Sequence, residues 1–592
     1  MAKWMLRQAA VNVGQLAAEC GISPALAHVL AVRGFRCKEE AEEFLYAAKM
    51  KLPPPLLFAD MAQALALVSQ AIAAGRRIAI FGDYDADGVC STVILYKTLA
   101  SLKANVMYYM PQREHEGYGL NNEAILSLQQ KQVELILACD NGVSALEQVE
   151  YANSLGMSVV ILDHHDLPQN EAGEQMLVPA AALVDAKRQD CPYPFKLYCA
   201  AGLCYRFSQA LYEHLNLDWQ DKGQELLPFA ALATICDLVE LLGENRSLVQ
   251  RGLPTIADSG NPGLQALLAA TGLAGMGISA YHVGFRLGPC INASGRIEGA
   301  GLAVELFLTE DEERATEMAV YLTGLNETRK TLTEQGTALA LQTIESQGLN
   351  DDKIIVAHCP EIHESVAGII AGRLKEHFNK PVIVVAGDKE IVRGSGRSIE
   401  PYHMYQGLSA CPELFINYGG HPMAAGFSMP LANVQQLREC LNRGCTLTEE
   451  DMLPLRRIDK LMSLSEASLP LARELQSFEP FGKGNPPIYF ADKGVKLLKI
   501  SVLGASGQVL RLTMQSSDMK GVLEAVCFDG KEKLQDLLLT QYGEYCWSNL
   551  LRGDLSGVCL DILYMLNVNN YQGRESAQVQ IVDFRIAQGD SP

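Results

Sequence analysis

"RIAIFGDYDADGVCSTVILYKTLASL", residues 77–102, sets a β-rich apolar run, three aspartates one residue apart and a helix-like apolar run in direct succession. A short, near-continuous apolar run suits a strand buried on both faces of a sheet. Asp83, Asp85 and Asp87 then fall on the loop at its carboxyl end. Outward from this stretch, "NVMYYM" (105–110), "VELILA" (133–138), "SVVILD" (158–163) and "AALVD" (181–185) repeat the strand pattern. Helix-like segments such as "ALEQVEYANSLG" (145–156) separate them. Strands alternating with helices predict an α/β fold with a doubly wound parallel sheet, whose ligands sit at the carboxyl ends of the strands.

Three of those strand ends carry charge chemistry. Asp83, Asp85 and Asp87 follow the first run, Asp140 follows "ELILAC", and Asp163, His164 and His165 close "SVVILDHH". Carboxylates gathered on one edge repel, so a cation must offset them; oxygen and imidazole ligands without thiolate suit magnesium or manganese, with histidine favouring manganese. Each piece alone has a plainer reading. D-x-D-x-D-G also describes a calcium loop or a turn, an aspartate after a strand is commonly a helix cap, and a His-His pair commonly lies on a surface or in a satisfied core. Asp237, in "LATICDLVEL", reads by itself as a cap or an interior helix residue. Recurrence at successive strand ends is what favours a metal site.

The rest of the chain sets the frame. With 592 residues it needs several cores. Its net charge of -20 argues against a broad basic surface, so a nucleic-acid partner would need a local basic channel or metals that reverse the sign of the site. The 16 cysteines include no C-x-x-C pair and read as small reduced core residues. No apolar stretch approaches the roughly 20 residues of a membrane span, and no secretion signal stands at the start; the cytoplasm, no membrane contact and a monomer are expected. Residues 1–75 read as a helical N-terminal segment, 76–301 as the first α/β region, and 302–347 as a charge-rich, proline-free connecting helix. Residues 348–449 read as a second α/β region, and 450–592 as short strands forming a small barrel or sandwich. "GSGRS" and "GGH" read as glycine-rich turns with exposed amides suited to a phosphate.

"GDYDADG", "DNG", "DHH" and "CDLVEL" occur in the order and approximate spacing of the DHH phosphoesterase superfamily, which the chain resembles. "GPCINASGRIEGA" (288–300), "HESVAGIIAGRLKE" (363–376), "GSGRSI" (394–399), "GGHPMAAG" (419–426) and "FGKGNPPIYF" (481–490) are similar to its RecJ branch of single-strand-specific 5′ to 3′ exonucleases. The resemblance spans nearly the whole chain. It implies a DHH catalytic domain over 76–301, a DHH-associated substrate-binding domain over 348–449 and an OB-fold-like nucleic-acid-binding domain over 450–592.

It also implies roles. Asp83 and Asp85 would hold one ion, Asp87, His164 and Asp237 a second, and Asp140 would bridge two manganese or magnesium ions. His165 would touch the scissile phosphate and Asp163 would orient the histidines. Arg113, Arg296, Ser395, Arg397, Ser398 and His421 would contact the terminal phosphate and nearby backbone of single-stranded DNA, fixing polarity. Arg511 and "NNYQGRESAQVQI" (569–581) would line a groove for the strand. The implied activity is two-metal phosphodiester hydrolysis releasing 5′-mononucleotides in recombination and repair, with a helicase and a single-strand-binding protein as candidate partners. Rival readings are a DHH phosphodiesterase acting on short RNA or cyclic dinucleotides, and a catalytically silent DNA-binding scaffold. Three positions depart from the family pattern: Gln112, Ser365 and Cys290. At Cys290 the family commonly has a basic residue, and the loss of charge predicts a weaker grip on the strand.

Overall fold

The computed structural model of the protein describes residues 2–111, 119–170, 172–297, 299, 301–504, 507–554, 557–571 and 573–587. They form two compact units, the first built from 53–237 and 252–454, the second from 3–52, 238–251 and 455 onward.

The first unit holds a five-stranded sheet in the order Asn105–Tyr109, Arg77–Phe81, Leu135–Cys139, Ser158–Leu162, Ala182–Val184. All neighbours are parallel. Counted along the chain, the spatial order is 2-1-3-4-5, so the winding reverses between Arg77–Phe81 and Leu135–Cys139, and ligands of doubly wound sheets collect at that switch point. Because strand side chains alternate, Ala79, Phe81, Ile136, Ala138, Val159 and Ile161 share a core with Ile125 and Leu128 of helix Asn122–Gln130 and Val149 of Leu146–Ser154. Ile78, Ile80, Leu137 and Val160 are equally buried on the other face, where helices Ala86–Ser101 and Ala200–His214 pack. Each such side chain contributes about 1.5–3 kcal/mol on burial.

A second sheet in the same unit runs Asn417–His421, Ala424–Pro430, Ile391–Arg397, Val382–Ala386, Ile355–Cys359. Only its last two strands are parallel to each other. "GSGRS" is therefore not a turn: Gly394 and Gly396 lie inside Ile391–Arg397, with neighbours on both sides. Their lack of a side chain serves packing, since a Cβ at Gly394 would stand 2.1 Å from the Phe427 ring opposite. "GGH" likewise ends the strand Asn417–His421. Between the sheets, the run expected as one helix from 302 is two, Gly301–Leu308 and Glu312–Ser346. Asp311 starts the second by accepting from the N–H groups of Glu313 and Arg314 at 3.0 and 3.1 Å. With 35 residues it is about 50 Å long.

The second unit is a barrel of Phe490–Leu503, Val509–Gln515, Val522–Cys527, Cys559–Tyr571 and Arg574–Ile586, closed by pairing of the first with the fourth. The ring order 1-2-3-5-4 and the helix Lys531–Tyr542 between third and fourth strands are those of an OB-fold. The N-terminal segment divides at Leu52, because Leu16, Leu26, Leu30 and Phe44 enter the barrel's core alongside Phe478, Leu497 and Tyr564. Lys3–Leu6, expected as helical, is a strand parallel to Leu455–Ile458. Arg33 explains much of "FGKGNPPIYF": its guanidinium donates to both oxygens of Asp459 at 3.1 Å, to Asn485 Oδ1 at 2.8 Å and to the carbonyls of Pro486 and Pro487.

Candidate metal centre

The aspartate loop leaves Arg77–Phe81 and turns into helix Ala86–Ser101 with Asp85 as N-cap, one oxygen accepting from the N–H groups of Asp87 at 2.8 Å and Gly88 at 3.1 Å. Asp87 points the other way and accepts from Ala200 N at 2.7 Å and Ala201 N at 2.8 Å, the opening amides of helix Ala200–His214. A helix N-terminus suits that charge. The loop is also held from 206 residues away: Asn292 Oδ1 accepts from Ala86 N at 2.7 Å. Gly295, one turn on, lies so close that a Cβ there would stand 2.2 Å from Tyr84 O. "NASGR" is thus first a brace for the aspartate loop.

Asp140 ends Leu135–Cys139 in a left-handed conformation, φ 64°. For a non-glycine residue this costs on the order of 1–2 kcal/mol and marks a constrained site. Its neighbour Asn141 ties the switch point together, donating to the carbonyls of Cys139 at 2.9 Å and Gly82 at 3.2 Å. Asp163, buried at the end of Ser158–Leu162, accepts from the N–H of His164 at 2.7 Å, from His165 Nδ1 at 2.8 Å and from Val143 N at 3.1 Å. His164 Nε2 is thereby placed 3.2 Å from Asp140, 3.6 Å from Asp87 and 3.7 Å from Asp237, which caps the end of helix Gln220–Cys236.

Among the described residues three overlapping ligand groups result, one of them made of Asp140, Asp163, His164 and His165. One atom each from Asp83, Asp85 and Asp140 lie within 4.8 Å of one another, and so do atoms from Asp87, His164 and Asp237. Asp140 belongs to the all-aspartate group and touches the Asp87 group through His164. The electrostatics fit divalent cations. Burial, then the charge of Asp85, pushes the Asp87 carboxyl up to about 7. Burial, then Asp87, Asp85, Asp83 and Asp237, pushes Asp140 well above the carboxylate range. Burial, then the adjoining His165, lowers His164 to about 3, leaving a neutral imidazole with a lone pair to give. Carboxylates that resist ionising together, around a neutral imidazole, form the donor set that a hard cation relieves. His165 behaves oppositely: burial works to lower it, but the hydrogen bond and charge of Asp163 outweigh this and raise it to about 9. Asp163 is correspondingly held below the usual carboxylate range, the bond from His165 overcoming the effect of its own burial.

The other expected residues scatter more. Arg296 Nη1 donates to Ser365 O at 2.9 Å, at the start of helix Glu364–Phe378. Arg397 packs on that helix, Nη2 within 2.9 Å of where a Cβ on Gly368 would be. Ser395 precedes it on the same strand. Ser398 is buried, its hydroxyl donating to Tyr402 O at 2.6 Å. His421 ends its strand exposed and acts electrostatically on Asp166, just after the histidine pair. Arg113 and Gln112 lie outside the described residues. Cys290 is turned inward: it is 2% exposed, its Sγ donates to Arg286 O at 3.2 Å, and burial pushes its thiol up to about 11. Sequence reasoning passed over Asn292 as a brace, and over Lys187, whose Nζ lies 3.0 Å from Asp166. The end of "AALVD" was the signal for Lys187.

Residues 77–234 match the DHH family, N-terminal domain, 351–445 the DHHA1 domain and 458–583 the RecJ OB domain. The chain is 33% identical over 98% of its length to the single-stranded-DNA-specific exonuclease RecJ of Bacillus subtilis, covering 70% of that protein. It is 31% identical to the protein of that name from Escherichia coli, with 95% of each covered. Among solved structures, RecJ of Thermus thermophilus in complex with Mn2+ aligns at a TM-score of 0.78 and 28% identity, over 100% of this chain and 81% of that one.

Proposed function

The chain belongs to the RecJ family of single-stranded-DNA-specific exonucleases, and on that premise we propose that it degrades single-stranded DNA from the 5′ end by two-metal hydrolysis, releasing 5′-mononucleotides. The observation that carries this reading is the set of overlapping ligand groups that Asp140 and His164 link. Asp83, Asp85 and Asp140 would hold one manganese or magnesium ion, and Asp87, His164 and Asp237 the other, with Asp140 shared. When bound, the two ions supply Lewis acidity at the attacking water and at the departing 3′ oxygen.

The chain's own residues do the rest. Asp140, held in a left-handed backbone conformation, would present its carboxylate to both groups, and Asp163 fixes both histidines through three hydrogen bonds. The hydrogen bond and charge of Asp163 raise His165 to about 9 against its burial, so its imidazolium would offer a charged donor to a scissile phosphate oxygen. Arg113, Arg296, Ser395, Arg397 and His421 would take the 5′-terminal phosphate, with Ser398 supporting the backbone beneath. Such a pocket sets polarity, because a strand entering by its 3′ end brings no terminal phosphate to those donors.

On the barrel, Lys499 and Thr513, and Ser501 and Arg511, are cross-strand neighbours, with Lys496 further along. They give a local basic face to a chain of net charge -20. Arg511 lies 3.9 Å from Glu524, and Tyr571 stands exposed at the tip of the Cys559–Tyr571 and Arg574–Ile586 hairpin. Among the described residues no single helix is long and apolar enough to cross a membrane. The proposed setting is a cytoplasmic monomer in recombination and repair, supplied with single strands by a helicase and a single-strand-binding protein. The test is degradation of 5′- and 3′-labelled single strands and duplexes with manganese, magnesium or chelator. Release of 5′-mononucleotides from single strands, abolished by chelator, is expected; preference for duplex, or attack from the 3′ end, would overturn the reading.

A further inference from the structure

The helix that braces the aspartate loop begins in an exposed aromatic pair. Residues 280–297 run without a break as Ala280–His282, a π-helical segment Val283–Leu287, and Gly288–Ile297. Val283, Leu287, Cys290, Ile291 and Ser294 are buried on one side. On the other, Tyr281, Phe285, Pro289, Asn292 and Arg296 are exposed or half-buried at spacings of four, four, three and four, which is one helical stripe. The inner end of that stripe is Asn292, bonded to the aspartate loop, and Arg296, bonded at Ser365. Its outer end is Tyr281 and Phe285, 63% and 68% exposed, their rings stacked with centroids 4.8 Å apart and planes 27° apart. Two large rings left in water at the end of a stripe that starts at the metal centre need an occupant. The π-helical turn that carries Phe285 is of a kind frequent at functional sites.

The geometry points to Tyr281 and Phe285 as a base-stacking platform for the single strand whose terminal residue lies in the metal centre. This rests on the nuclease reading above. Phe285 and Asn292 are seven residues apart, about 10 Å along the helix, or about three stacked nucleotides at about 3.4 Å each. The exposed Arg286 follows Phe285 in the chain, its guanidinium bonded to Thr271 O, and would supply positive charge for the backbone. Aromatic faces accept every base, as an enzyme that must pass all sequences requires, and in a chain of net charge -20 the strand has to be gripped through such local contacts.

The test uses the full-length protein with manganese, comparing wild type with Tyr281→Ala/Phe285→Ala on a single-stranded dodecamer and on a dinucleotide. Loss of stacking raises KM for the dodecamer about tenfold more than for the dinucleotide. That excess disappears when the third or fourth nucleotide is made abasic, and the swap Tyr281→Phe/Phe285→Tyr restores wild-type KM. Equal losses on both substrates, or an excess that survives the abasic substitution, overturn the platform. A wild-type protein that cuts no single strand sinks the nuclease reading instead, so the two failures are distinguishable.

Discussion

Gly295→Ala tests whether the brace between "NASGR" and the aspartate loop holds the metal centre. The added Cβ would stand 2.2 Å from Tyr84 O and 3.0 Å from Tyr84 Cβ, whereas a carbon and a carbonyl oxygen approach no closer than about 3.3 Å. The helix and loop must therefore part by about 1 Å. Tyr84 lies between Asp83 and Asp85, so that movement passes directly into two carboxylates, and it stretches the 2.7 Å bond from Ala86 N to Asn292 Oδ1 beyond hydrogen-bond range. Overpacking costs about 1–3 kcal/mol, and losing the bond about 1 kcal/mol more. A displacement of about 1 Å at reacting groups can lower the rate about a hundredfold. The expected variant is folded, with a lower melting temperature, weaker manganese binding by calorimetry and turnover reduced about a hundredfold. Gly324→Ala is the control, because nothing lies within 4 Å of its Cβ and the site is inside helix Glu312–Ser346; it gains about 0.5–1 kcal/mol with no change in metal affinity. Turnover in Gly295→Ala within about twofold of wild type would refute the reasoning.

Other residues give sharper separations of role. Asp140→Asn keeps a residue that tolerates the left-handed backbone while removing a carboxylate from the cluster, so the metal-free melting temperature should hold or rise, the manganese-induced rise should shrink, and activity should fall at least about a hundredfold; normal activity would end the shared-ligand assignment. Asp163→Asn addresses His165. Asp163 raises the folded-state value of His165 to about 9 from an ordinary value of about 6.5, so the pair's contribution is fully present below about pH 6.5 and lost as pH rises through about 9. With Asp163 neutral, the alkaline fall in rate should move down by more than about one pH unit, and an unmoved limb would show that His165 does not act as the charged donor. Cys290→Arg places a cation at a 2% exposed position near Arg329 and Lys330, so the melting temperature should fall by several degrees with no gain in single-strand affinity at low salt; a stable variant that binds DNA more tightly would restore the strand-contact reading.

What the linear order of residues determined is the chemistry at the strand ends. Strand periodicity is local, and a carboxylate directly after an apolar run stays at the sheet edge whatever surrounds it, so Asp83, Asp85, Asp87, Asp140 and the Asp163–His165 run were legible as one edge of one sheet. Their division into two groups was legible only through the family resemblance. Tertiary structure decided the rest, because it depends on contacts between residues far apart in the chain. Gly394 and Gly396 have the local pattern of a turn, but Phe427 and Met404 pack over them and require strand positions without a Cβ. Asn292 became a brace only through a bond to Ala86, 206 positions away. The N-terminal helices carry an apolar stripe that any core could bury, and the barrel's supplied it. Cys290 looked like a lost cation because sequence gives a position in a motif but not the side of the helix it faces; packing turned it inward and left Tyr281 and Phe285 facing water.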